Sequence, residues 1–211
     1  MTALPPVWLL DIDGVINAIS RKPDPNVWPR DAWATGTATA AGHAWPILAA
    51  RPVLELIRAV HDAGRAEIRW HTTWQHDAAN LAHLLGLPDF PVQHCPGFTA
   101  HQQDVAGAVP TALNGVWWKL PAAERVVGEE GRALLWTDDD ARWPELRDSA
   151  AAALGRLVPA LVLAPQTHLG LTRKHLHRID TFLDDPNRKD HRDRPAPRHH
   201  RRHRRHPRPA R

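Results

Sequence analysis

Residues 7–17 read VWLLDIDGVIN: four apolar residues, Val7 to Leu10, run straight into Asp11, with Asp13 two positions on and Gly14 behind it. A short apolar run bounded by charge has the pattern of a strand buried on both faces. Working outward, PVLELIRAVHDAG (52–64) places apolar residues at 53, 54, 56, 57 and 60, a helical stripe opened by Pro52 and closed by Gly64. AEIRWHT (66–72) reads as a second strand, and Gln75 to Leu85 as a helix stopped by Gly86 and Pro88. PVQHC (91–95) has the length of a short third strand. LPAAERVVGEEG (120–131) is helical in pattern, ALLWTDDD (133–140) is a strand running into three aspartates, PALVLAP (159–165) is a further strand, and LTRKHLHRIDTFLDD (171–185) is an amphipathic helix. The alternation predicts an α/β fold: three layers, Rossmann-like, with a mostly parallel central sheet and helices on both faces. Residues 17–50, rich in Pro, Ala, Thr, Gly and Trp without sustained periodicity, are expected to form a small loop-like insertion after the first strand, with little regular helix.

The chain has 211 residues, 43% of them hydrophobic and 24% charged, enough for one domain with a full core and an appendage. The domain is expected over 1–186 and the appendage over 187–211. That tail holds 11 Lys and Arg against 2 Asp, which leaves 16 basic against 21 acidic residues in the body. With no apolar residue larger than alanine the tail cannot bury a core, so disorder is expected there. It carries the charge for non-specific attraction to nucleic acid. The single cysteine, Cys95, excludes internal disulfides and fits a reducing, cytoplasmic setting. The start lacks a basic region ahead of its apolar run, unlike a signal peptide. The apolar stretch 150–165 is broken by Arg156 and Pro159, so no membrane span is expected. No feature of the sequence sets an oligomeric state.

In an open parallel sheet, functional groups collect at the carboxyl ends of the strands. Here those ends carry Asp11 and Asp13, then His71, Thr72 and Thr73, then Asp138, Asp139 and Asp140, with Lys119 ahead of the helix leading into the last. Two carboxylates about 4 Å apart repel by roughly 4 kcal/mol at an effective dielectric near 20. Several converging would not all stay ionised without a cation, and an all-oxygen set suits a hard ion such as Mg2+. An EF-hand starting at Asp11 would want an acid or amide at 15 and Glu at 22, where the chain has Val15 and Lys22.

LLDIDGVIN, the apolar strand leading to Thr72, Lys119, and ALLWTDDD together resemble the four motifs of the haloacid dehalogenase-like (HAD) superfamily. WHTTWQHDAANLAHLLGLP and the closing HLGLTRKHLHRIDTFL resemble a subgroup of small HAD domains with a Trp-x-Thr-x-Trp signature, some linked to RNA repair. The resemblance covers roughly residues 5–185. It implies a Mg2+-dependent phosphomonoester hydrolase working through an aspartyl-phosphate. Asp11 would be the nucleophile and Asp13 the general acid and base. Thr72 would hydrogen-bond the phosphoryl group, with Thr73 as competitor, and Lys119 would neutralise it. Asp11, Asp138, Asp139 and the backbone carbonyl of Asp13 would hold the ion; Asp140 has no counterpart in the motif. The expected partner is a phosphorylated substrate, either a small molecule or a nucleic-acid end, and residues 17–50 would be a cap or flap. The alternative is a non-catalytic HAD-like module that binds nucleic acid or another partner through its basic tail.

Ten tryptophans punctuate the chain. Trp8, Trp70 and Trp136 lie on expected strands and are assigned to the core. Trp28, Trp33 and Trp45 either pack the insertion onto the sheet or stack on a substrate ring. The body histidines show no tight metal spacing and are read as satisfied or solvated side chains, with His71, beside Thr72, the one whose alternative is contact with a substrate.

Overall fold

The computed structural model describes residues 4–94, 112–113, 116–142 and 158–188. In chain order these form β1 (Val7–Leu10), β2 (Trp33–Ala40), β3 (His43–Ala50), α1 (Arg51–Asp62), β4 (Glu67–Trp70), α2 (Ala78–Leu85), β5 (Ala112–Leu113), β6 (Val116–Trp117), α3 (Lys119–Gly128), β7 (Leu134–Thr137), β8 (Ala160–Leu163) and α4 (Arg173–Asp184). Cys95, most of 96–118, and the tail beyond Arg188 lie outside the described residues.

β4, β1, β7 and β8 make one sheet in that order, and all three pairings are parallel. Successive side chains of a strand alternate between faces, and two apolar clusters follow. Trp8 and Leu10 gather with Ile68, Trp70, Leu135, Leu161 and Leu163, together with Ile57 of α1, Leu81 of α2 and Phe182 of α4. Val7 and Leu9 gather with Leu134, Trp136 and Val162, together with Val126 and Val127 of α3. The molecule is therefore an α/β structure whose parallel sheet is flanked by helices. No helix among the described residues is long and apolar enough to cross a membrane.

The insertion departs from the loop expected of it. β2 and β3 pair antiparallel over their whole length, from Trp33 opposite Ala50 to Ala40 opposite His43. Along β2, Thr35, Thr37 and Thr39 face solvent while Ala38 and Ala40 are buried. That is a period-two strand, but its inner face is alanine and glycine, too small to register as hydrophobic alternation. The turn, Ala41-Gly42, has positive φ at both residues (50° and 73°), the geometry of a tight hairpin. Ala41 tolerates it because its N–H donates to Asp77 Oδ2 at 2.8 Å. Asn80 Nδ2 donates to Thr39 O at 2.9 Å, so the ribbon lies pinned along α2. Trp28 and Trp33 are buried in the core as packing residues, while Trp45 stays 47% exposed.

The short strand expected over 91–95 reduces to a single parallel bridge between Trp70 and Val92. Helix α3 begins earlier than its apolar pattern suggests, so Lys119 is its first residue. Trp8, Trp70 and Trp136 are fully buried, as assigned. The Trp8 indole crosses the sheet to donate to Thr137 Oγ1 at 3.0 Å. Thr137→Val keeps the volume and strands that N–H in the core, so urea unfolding is expected to show a loss of about 1–3 kcal/mol.

Candidate functional site

Register carries the sheet into the site. Leu10 pairs with Trp70 and with Thr137 as the last residue of each strand. One step further, the ladder continues through backbone bonds: His71 N–H to Leu10 O at 2.9 Å, Asp11 N–H to Thr137 O at 3.1 Å, and Asp138 N–H to Leu163 O at 3.0 Å. Neighbouring strands lie about 4.8 Å apart, so Asp11 and Asp138 are held side by side. Alternation assigns both to the face of Val7 and Leu9, the face that α3 covers.

Lys119 opens α3 on that face. Its Nζ sits 2.9 Å from Asp11 Oδ2 and 2.7 Å from Asp138 Oδ2, with 3% of the side chain exposed. A cation at a helix N-terminus works against the helix dipole, and burial alone would depress the Lys119 pKa. The two carboxylates more than offset both effects and hold the ammonium above its ordinary range.

One ammonium does not balance the acids around it. Asp11, Asp138 and Asp139 are all buried, and one carboxylate oxygen from each lies within 4.8 Å of the others. At that separation each pair repels by roughly 3.5 kcal/mol at an effective dielectric near 20. Burial pushes Asp138 above the ordinary carboxylate range; Lys119 pulls it down and Asp11 pushes it further up. Burial likewise raises Asp139, against the hydroxyl of Thr167, which donates to Asp139 Oδ2 at 2.5 Å. Such a surplus of buried oxygen donors could hold a metal ion, and their chemistry suits a hard divalent one. The opposite end of the sheet makes the contrast. There Arg69 grips Glu130 at 2.6 and 2.8 Å, and Arg132 meets Glu67, so two cations answer two anions.

Gly14 is required where it stands. Its φ is +71°, and a Cβ built there would lie 2.3 Å from Asp139 Cγ. Any side chain would evict the third carboxylate.

Asp13 is outside this triad. Its Oδ2 accepts from Trp74 Nε1 at 2.8 Å and its Oδ1 from Asn17 Nδ2 at 2.9 Å. Burial is the largest influence on its pKa and raises it, ahead of those two donors, which lower it. Thr72 is fully buried at the end of β4, its Oγ1 accepting from Trp74 N–H at 3.4 Å, and Thr73 is half-buried beside it. The turn that follows is held by Gln75, whose amide donates to Thr72 O at 2.7 Å and whose φ is +47°, a left-handed conformation rare outside glycine. Asp140 contributes its backbone N–H to Asp138 Oδ1 at 3.0 Å.

His71 is no surface contact. It is fully buried, in edge-on contact with Trp118 at 5.2 Å and tilted against Trp136 at 5.6 Å, and neither ring nitrogen has a hydrogen-bond partner among the described residues. Burial, with the nearby Lys119 charge, drives its pKa well down, so the ring is neutral.

The structure thus brings Asp11, Lys119, Asp138 and Asp139 into one cluster and sets Asp13 and Thr72 on the same sheet edge. Sequence reasoning missed Asn17, Trp74 and Thr167 as participants. The first two had a signal: Asn17 closes DIDGVIN, and Trp74 ends the WHTTW run. Thr167 had none.

The acids titrating above their ordinary range mean that the folded chain holds protons the unfolded chain has released. Metal-free stability is therefore expected to fall as pH climbs above the ordinary carboxylate value of 3.8. A bound divalent cation opposes that fall. In thermal unfolding against EDTA, Mg2+ or Mn2+ at a hundredfold excess over its dissociation constant should add about 2.7 kcal/mol. The gain should be larger near about pH 8 than near about pH 6, and absent in Gly14→Ala.

Comparison of the chain with protein-family models gave no match, and comparison with curated proteins gave none either.

Proposed function

We propose that this chain is a Mg2+-dependent phosphomonoester hydrolase of the HAD-like kind, acting through an aspartyl-phosphate on Asp11. The observation that carries the proposal is the placement of the Lys119 ammonium between Asp11 and Asp138, with Asp139 completing a buried acidic triad. A phosphate monoester brings negative oxygens toward a negative nucleophile, so catalysis is mainly a matter of position and compensating charge. Mg2+, held by Asp11, Asp138 and Asp139, would supply the charge that draws the phosphoryl oxygens in.

The remaining work falls to the chain. Asp11 attacks phosphorus as the bond to the leaving oxygen breaks, and Asp13 delivers a proton to that oxygen. In the second half Asp13 takes a proton from water, water oxygen bonds to phosphorus, and the Asp11–phosphorus bond breaks. Lys119 holds Asp11 in line and offsets charge on the transferred group. The hydroxyl of Thr72 is assigned to one phosphoryl oxygen. The small insertion, pinned along α2 rather than built into a separate cap domain, supports a substrate as large as a terminal phosphate on a nucleic acid. The basic tail supports the same class.

The test is release of phosphate from an aryl phosphate with Mg2+. Activity should vanish with EDTA and fall by roughly three orders of magnitude or more in Asp11→Asn. Activity surviving in Asp11→Asn would overturn the nucleophile. Comparing an oligonucleotide carrying a terminal phosphate with sugar phosphates and mononucleotides tests the substrate class: a higher kcat/KM on the oligonucleotide is expected, and preference for the small esters would contradict it.

A further inference from the structure

The general acid of such a reaction must keep its carboxyl aimed at the leaving oxygen, and a bare aspartate on two rotatable bonds does not. Asp13 is not bare. Trp74, from the turn after β4, donates its indole N–H to Oδ2 at 2.8 Å, and Asn17, from the loop entering the insertion, donates its amide to Oδ1 at 2.9 Å. Both donors are themselves buried, at 5% and 2% exposure.

The chemistry of the two arms admits no other assignment. An indole nitrogen can only donate. The Asn17 amide is oriented by its other end: Oδ1 accepts from the backbone N–H of Leu48 in β3 at 2.9 Å, which leaves the NH2 to face Asp13. The Asn17 backbone also bridges to Ala49, so the amide is anchored to the ribbon on two counts. Each carboxylate oxygen has about two acceptor positions. One donor on each fixes the plane of the carboxyl and leaves the outer positions open for the proton that moves.

We infer that Trp74 and Asn17 are positioning residues that clamp the Asp13 carboxyl between the β4 turn and the β2–β3 ribbon, so that the ribbon serves proton delivery to the leaving group. This rests on the phosphatase reading above. It goes beyond that reading in giving the insertion a part in the chemistry and in predicting where its contribution will show.

A clamp on the general acid matters in proportion to how badly the leaving group needs a proton. An alkyl phosphate leaves as a strongly basic alkoxide unless protonated, whereas p-nitrophenolate leaves readily without one. The experiment is kcat/KM of the full-length chain with Mg2+ on both esters, which reports leaving-group departure and not the later hydrolysis of the aspartyl-phosphate, for wild type, Trp74→Phe, Asp13→Asn and the double variant. Trp74→Phe keeps an aromatic ring and removes the donor. It is expected to lower kcat/KM on the alkyl ester by about 10–100-fold, part of what general acid catalysis contributes, and to leave kcat/KM on the nitrophenyl ester within about threefold. In the Asp13→Asn background it should cost nothing further on the alkyl ester, because its effect passes through Asp13. Asn17→Ser, which withdraws the amide, is the second variant should Trp74→Phe not fold, and the same split is expected of it. Equal losses on the two esters, or a loss that adds to that of Asp13→Asn, would overturn the clamp and leave the phosphatase reading standing. A wild type that turns over neither ester would overturn both.

Discussion

One buried ammonium organises this molecule's chemistry. Lys119 stands at the head of α3, where the helix dipole disfavours it, and is removed from water, which disfavours it again. It persists because β1 and β7 end in aspartates one strand spacing apart on the face α3 covers. Take away the parallel register of those strands, and neither the salt bridges nor the acidic cluster would exist. The fold and the site are in this sense one construction: short strands whose carboxyl ends continue into the row His71, Asp11 and Asp138.

That row also explains why the edge invites a cation. At the amino end of the same sheet, Arg69, Arg132, Glu67 and Glu130 neutralise each other. At the carboxyl end, among the described residues, Asp11 and Asp138 share Lys119, Asp139 accepts from the Thr167 hydroxyl, and Asp13 stands apart on its own pair of neutral donors. Buried negative charge left over after all local pairing is costly, and proteins retain it where a ligand repays it. Gly14 shows how closely the edge is packed, since even a methyl group there would collide with Asp139.

The parallel sheet and its acidic edge were legible in the sequence because β1 and β7 are strong signals: apolar runs of strand length that each lead into aspartates. The isolation of Lys119 in a lysine-poor body made it easy to pick out. The ribbon was not legible, because its inner face is built from alanine and glycine and its turn from Ala41-Gly42 rather than a typical turn pair. The bridge at Val92 was over-read as a strand for the opposite reason, an apolar pair with only one partner to meet. Asn17 and Trp74 sat inside recognised motifs, but motif spacing does not reveal that both side chains converge on Asp13 from opposite sides. Thr167 lies in a loop 28 residues along the chain from Asp139, the carboxylate it donates to. His71, for which substrate contact is only the alternative reading, faces inward between two indoles, since strand alternation turned it toward α3.

The chemistry proposed for this edge requires the three buried carboxylates to share a divalent cation. Anomalous diffraction from crystals grown with Mn2+ addresses it without any assumption about substrate. A single strong peak is expected within coordination distance of Asp11, Asp138 and Asp139, with the Lys119 ammonium still paired beside it. A cluster that stays free of manganese at saturating concentration, or a peak held by other residues, would contradict it.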